Sequence, residues 1–148
     1  MRKLLAGAAL AALLAFSGPP ARAAGQSATA SPEIYWTLTV DVAQGKLADF
    51  KALIAKIVAA VEANEPGALE YEYSVASDGQ TVNIVERYAD NAAVVTHLDN
   101  FGKSFGKDFM ALVKPTAFTV YGPASDEVKK MIAGFNPVYM TEFDGFVR

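Results

Sequence analysis

The chain has 148 residues, with 13 Lys or Arg against 16 Asp or Glu, one His, no Cys and a formal charge of −3. Without Cys there can be no disulfide and no thiolate metal site, and one His leaves too few ligands for a zinc-type centre, so no metal is expected. The acidic balance excludes nucleic acid and anionic membrane surfaces as electrostatic partners.

Met1-Arg2-Lys3 is a basic start, Leu4 to Phe16 is an apolar run too short to span a bilayer comfortably, and Ala21-Arg22-Ala23 puts small residues where a signal peptidase reads. Residues 1–23 are therefore expected to be a cleaved secretory signal and 24–33 a flexible leader. A periplasmic location with no stable membrane anchor is then expected, the competing reading of the run being an uncleaved anchor. Cleavage removes Arg2, Lys3 and Arg22 and no acid, leaving 10 basic against 16 acidic side chains, a balance of −6. What remains is the size of one domain.

Ile34 to Val42 alternates Ile34, Trp36, Leu38 and Val40 against Tyr35, Thr37, Thr39 and Asp41, which predicts a half-buried strand. From Lys46 to Asn64 the spacing of Leu47, Phe50, Ile54, Ile57, Val58 and Val61 predicts a helix with one apolar face. Glu65-Pro66-Gly67 ends it, proline being unable to continue a helix and glycine accepting a positive φ. Ala68 to Ala76 reads as a strand with Leu69, Tyr71, Tyr73 and Val75 on one face, and Thr81 to Tyr88 as its return. Between them, Ser77-Asp78-Gly79-Gln80 carries the Asp-Gly hairpin signal. Asp90 is placed to cap a helix bearing Val94, Val95, His97, Leu98 and Phe101. Phe105, Phe109, Leu112 and Val113 extend that apolar face until Pro115 stops it, and Thr116 to Tyr121 predicts a further strand.

The order β-α-β-β-α-β is that of the ferredoxin-like α+β fold over residues 34–121. Both helices then lie on one face of an antiparallel sheet, and the other face requires a second copy of the chain to cover it. Residues 122–148 form a C-terminal helix and strand extension, with a helix capped by Ser125 and an apolar face of Val128, Met131, Ile132 and Phe135. Its aromatic tail is expected to pack on its own domain, on the partner or across a pocket mouth.

No Gly-rich phosphate loop precedes a helix, and no serine elbow is present. The chemistry on offer is a set of aromatic rings with one imidazole and one strand carboxylate, which suits a flat apolar ligand bearing hydroxyl or keto groups. The pattern Glu65-Pro66-Gly67, Leu69, Tyr71, Glu86-Arg87-Tyr88, Asp90, Ala93 and His97, followed by aromatics from Phe101 to Phe109, resembles the antibiotic biosynthesis monooxygenase (ABM) domain family. The resemblance implies a dimeric α+β barrel and oxidation of a quinol or polyphenol with O2, needing no cofactor. His97 would be the base, since an imidazole titrates near neutrality. Tyr88 and Tyr71 would position the substrate ring, Trp36 would wall the pocket, Glu86 would line it, and Asn83 would donate to a substrate oxygen. Members of the family often carry tryptophan where this chain has Tyr88.

Other readings stay open on the same residues. His97 would serve equally as a structural histidine bonded to Glu86 or a carbonyl, and the aromatics as ordinary core. A haem-binding or haem-degrading relative would add an Asn on the first strand and a Trp on the third, and neither is present. A non-catalytic binder of small apolar ligands would need only the pocket.

Overall fold

A computed structural model describes residues 31–145 of the chain; the expected signal peptide and most of the leader lie outside these residues. The alternating stretches become strands β1 (Ile34–Val42), β2 (Ala68–Val75), β3 (Thr81–Tyr88) and β4 (Val113–Tyr121). Between them run helices α1 (Leu47–Asn64), α2 (Asn91–Ser104) and α3 (Gly106–Leu112). The extension adds α4 (Asp126–Ile132) and a short strand β5 (Val138–Met140). The sheet runs β2-β3-β1-β4-β5, antiparallel except for the last pair. Its first four strands give the ferredoxin-like α+β order. No helix among the described residues is long and apolar enough to cross a membrane.

Period-2 patterning decides which residues meet the helices. On β1, Ile34, Trp36, Val40 and Val42 are buried, and on β3 so are Val82, Ile84, Glu86 and Tyr88. Each large apolar side chain buried this way contributes roughly 1.5–3 kcal/mol. Two core clusters result. One gathers Phe50, Ile54, Ile57 and Val61 of α1 over Val40, Val82 and Ile84, while the other gathers Val94 of α2 and Val128 and Ile132 of α4 over Ile34, Tyr88 and Val120.

Three local details depart from the sequence reading, each for a physical reason. Ala68 pairs with Tyr88 but Glu70 with Arg87, so Leu69 is the extra residue of a bulge; it is exposed rather than sharing the inner face with Tyr71 and Tyr73. Pro115 does not mark the helix end, because the strand already begins at Val113. The proline lies beside a register shift where Val40 faces Pro115 and Thr39 faces Ala117, a bulge that tolerates a residue with no N–H to donate. Gly67 does not take the positive φ expected of it; a Cβ there would stand 2.6 Å from the Cβ of Ala93, so its role is close approach of the loop to α2.

The caps anticipated from sequence are made. The Asp90 side chain accepts from the N–H of Ala93 at 2.9 Å, and Ser125 accepts from Val128 at 3.2 Å. Asn91 ties the extension to the start of α2, donating to the carbonyl of Pro123 at 3.1 Å and accepting from the N–H of Ser125 at 2.7 Å. Gly122 makes this path possible. Its φ is +88°, and a Cβ would lie 2.3 Å from the carbonyl oxygen of Glu33. Gly122→Ala is therefore expected to destabilise the fold by at least ~2 kcal/mol, from backbone strain plus the clash. An unchanged urea midpoint for this variant would show that the turn relaxes at no cost.

The outer sheet face carries no helix among the described residues. Tyr35 stacks on Tyr121 there with ring centroids 4.6 Å apart, and Arg87 bridges Glu33 at 3.3 Å and Glu70 at 3.2 Å.

Candidate active site

His97 is set on the inner face of α2 by the helical spacing that also buries Val94, and only 3 % of it is exposed. Three rings box it in. Tyr71 stands edge-on at 5.2 Å, Tyr88 lies tilted at 5.3 Å, and Phe101, one turn along the helix, stacks at 5.9 Å. The two ring nitrogens face different carboxylates. Nδ1 is 2.8 Å from Oε2 of Glu65, within hydrogen-bond range, whereas Nε2 is 3.6 Å from Oε2 of Glu86, too long for a direct bond. Glu65 is itself buried and held by Asn100, whose amide donates to Oε1 at 3.1 Å.

This geometry decides what the imidazole can do. In the tautomer that donates from Nδ1 to the Glu65 carboxylate, the imidazole presents its lone pair at Nε2. Glu86, the carboxylate nearest Nε2, lines a cavity of about 300 Å³, while Glu65, bonded to Nδ1, lines a smaller cleft of about 150 Å³ rimmed by Asn64, Asn100 and Ser104. His97 forms part of the wall of both.

The polar groups of the larger cavity are Tyr71, Tyr73, Glu86 and His97, and the rest of its wall is aliphatic, aromatic, methionine or glycine. Tyr73 donates to the hydroxyl of Tyr71 at 3.1 Å, and burial pushes both phenols well above their ordinary range, so they remain protonated donors. Burial also raises the Glu86 carboxyl above its ordinary 4.5, opposed by His97, the Tyr88 hydroxyl and the Trp36 indole. Tyr88 donates to Oε2 of Glu86 at 2.5 Å.

An acid with a raised folded pKa favours the folded state most below its unfolded pKa, and that contribution is lost as pH rises through the folded value. Glu86→Gln removes the cost of burying the charge while keeping an acceptor for Tyr88. The melting temperature of the variant minus that of the parent is expected to increase as pH is raised from about 4.5 toward neutrality. A difference that shrinks over this range would mean that His97 overcompensates the burial.

Of the residues singled out from sequence, the fold brings His97, Tyr71, Trp36 and Glu86 to the cavity wall. Tyr88 does not border the cavity; it is fully buried against Glu86, His97 and Trp36 and donates to the Glu86 carboxylate. Asn83 is not brought to the cavity. It lies on the outer face of β3, where it donates to Oγ1 of Thr39 at 3.1 Å. Sequence reasoning missed Glu65, which looked like punctuation in a helix exit, and Asn100, whose i+3 spacing from His97 was the available signal. It also missed how far the extension reaches, for Met131, Ile132 and Phe135 complete the cavity.

A ferredoxin-like α+β domain with a buried acid–imidazole pair at the polar end of an apolar cavity is the class this chain defines. Residues 34–102, a little under half of the chain, match the family model of the antibiotic biosynthesis monooxygenases. The fold is similar to that of MupZ from Pseudomonas fluorescens, with a TM-score of 0.70 and 22 % identity over 78 % of this chain and 94 % of that one. It is also similar to SnoaB, a cofactor-independent oxygenase from Streptomyces nogalater, with a TM-score of 0.53 and 19 % identity over 64 % of this chain and 95 % of that one. A third similar structure is protein SO0527 from Shewanella oneidensis, at TM-score 0.51 and 26 % identity, covering 61 % of this chain and 87 % of that one. No curated protein sequence matches the chain significantly.

Proposed function

We propose that the protein is an exported monooxygenase that oxidises a quinol- or polyphenol-type ring with O2, drawing electrons from the substrate's own anion. The observation that carries this reading is the lone histidine, held by buried Glu65 at Nδ1 and set in the wall of a largely apolar cavity whose other polar groups are Tyr71, Tyr73 and Glu86. A bound hydroxyl would give its proton to Nε2, and Glu65 would stabilise the imidazolium so formed. Tyr71, whose hydroxyl accepts from Tyr73, would donate to a ring oxygen, and Trp36 and Phe101 would hold the ring plane. The electron-rich anion then reduces O2. One oxygen atom enters the ring and the other leaves as water, taking back the proton held at Nε2; a quinol plus O2 balances a hydroxyquinone plus water.

The ABM family match and the likeness to SnoaB support this reaction class. The haem alternative is poorly supported, because both nitrogens of His97 face carboxylates. Pairing of two copies through the open sheet face, and a periplasmic location, complete the proposal. The test is oxygen consumption by residues 24–148, freed of metal and flavin, with a panel of hydroquinones and polyphenols. Uptake well above autoxidation with at least one member is expected, and none with any member would leave a binding role.

A further inference from the structure

We infer that the substrate is a neutral ring with an apolar tail: the hydroxyl-bearing head sits at His97 and Glu86, and the tail leaves through a mouth formed by Met110, Met131 and Phe135. This rests on the function proposed above and specifies its substrate class. Three observations carry it.

The first is polarity. Tyr71 and Glu86 are cross-strand partners, and Tyr73 and His97 adjoin Tyr71, so the polar groups of the cavity cluster at one end. None of the lining residues is Lys or Arg, and Glu86 stands at the head end. A carboxylate, sulfate or phosphate on the ligand would meet an acid and no cation.

The second is the rim. Met110 is 43 %, Met131 38 % and Phe135 39 % exposed, and each also lines the cavity, so the passage from head group to solvent is apolar throughout. A small polyphenol would leave these side chains in water, whereas an alkyl or prenyl tail would cover them. Methionine adapts to such chains, having three rotatable bonds and no branching.

The third is room. Gly102 and Gly106 face the cavity from α2 and α3, and a Cβ at Gly102 would meet nothing within 4 Å. The wall is bare where a chain would pass. All three rim residues lie beyond residues 34–102, the segment that matches the ABM family, and two of them belong to the extension, so the tail preference is a property of this chain's C-terminal part.

The test is a binding series that does not depend on turnover. Trp36, the only tryptophan in the chain, lines the cavity and reports occupancy by its fluorescence. With 4-alkylphenols from methyl to octyl, Kd is expected to fall about fourfold per methylene over the first carbons, then level off once the tail clears the rim. Met131→Ser and Phe135→Ser, both at half-exposed positions, should each raise Kd for 4-octylphenol by about tenfold more than for 4-methylphenol. A Kd independent of chain length, or variants that weaken every member equally, would overturn the tail site. Oxygen uptake with the matching series of alkylhydroquinones separates the two readings. Chain-length-dependent binding without uptake retains the tail site and removes the oxygenase, while uptake with flat binding does the reverse.

Discussion

Replacing His97 by alanine is expected to lower turnover of an accepted quinol by at least ~10²-fold, the low end for loss of a general base. The argument rests on position. The imidazole is the one nitrogen base at the polar end of the cavity, while the Tyr71 and Tyr73 phenols are held protonated by burial and Glu86 is pushed toward its neutral form. The variant also leaves Glu65 and Glu86 facing a void, so it should melt at a lower temperature. Rescue separates the two effects. Added imidazole, entering the space vacated by the ring, should restore part of the rate if His97 acts as a base. A folded His97→Ala protein that turns over at the parental rate would remove the histidine from the chemistry.

Glu65→Gln is the second variant with a large expected effect, again ~10²-fold or more on kcat, with little change in KM. The substitution keeps the size of the side chain and the acceptor for Asn100, and Glu65 does not border the larger cavity. What changes is the partner of Nδ1. The amide can donate its N–H to that nitrogen, which moves the imidazole proton to Nε2 and removes the lone pair from the substrate side. Because the chain has a single histidine, the ring nitrogen signals in an NMR spectrum belong to His97 and read the tautomer directly. Loss of rate together with a shift of the proton to Nε2 is the expected pair of results. Loss of rate with the tautomer unchanged would show that Glu65 acts by stabilising the imidazolium charge alone. An unaffected rate would mean that the Glu65–His97 contact is structural.

Both variants depend on a pair of residues that are 32 positions apart in the chain. Each was visible in the sequence, but only one as chemistry. His97 stood out as the lone imidazole on an amphipathic helix. Glu65 sat in Glu65-Pro66-Gly67, where helix termination fully accounted for the motif. Its burial follows from the way Gly67 lets the loop press against Ala93 on α2, bringing the carboxylate under the ring.

Local chemistry was legible to the residue in places. The alternation in β1 and β3 gave the bounds of both strands and their buried faces, since a pleated backbone sends successive side chains to opposite sides whatever the partner strand. The caps at Asp90 and Ser125 could be read for the same reason: a short side chain and the free N–H groups two or three residues on are local partners. The element order was enough for the ferredoxin-like fold, because short connections and a one-sided helix layer leave few topologies.

Only the tertiary structure decided the bulges that turned Leu69 outward and accommodated Pro115, since register depends on a strand contributed by a distant part of the chain. It placed Asn83 on the outer face, set Tyr88 behind the acid it holds, and brought the extension around to close the cavity. Periodicity assigns a side chain to a face of its own element, but a site is made where faces of several elements meet. That meeting is settled by packing between residues far apart in sequence, and so the fold and the base were written locally while the acid beneath the base and the mouth above it were not.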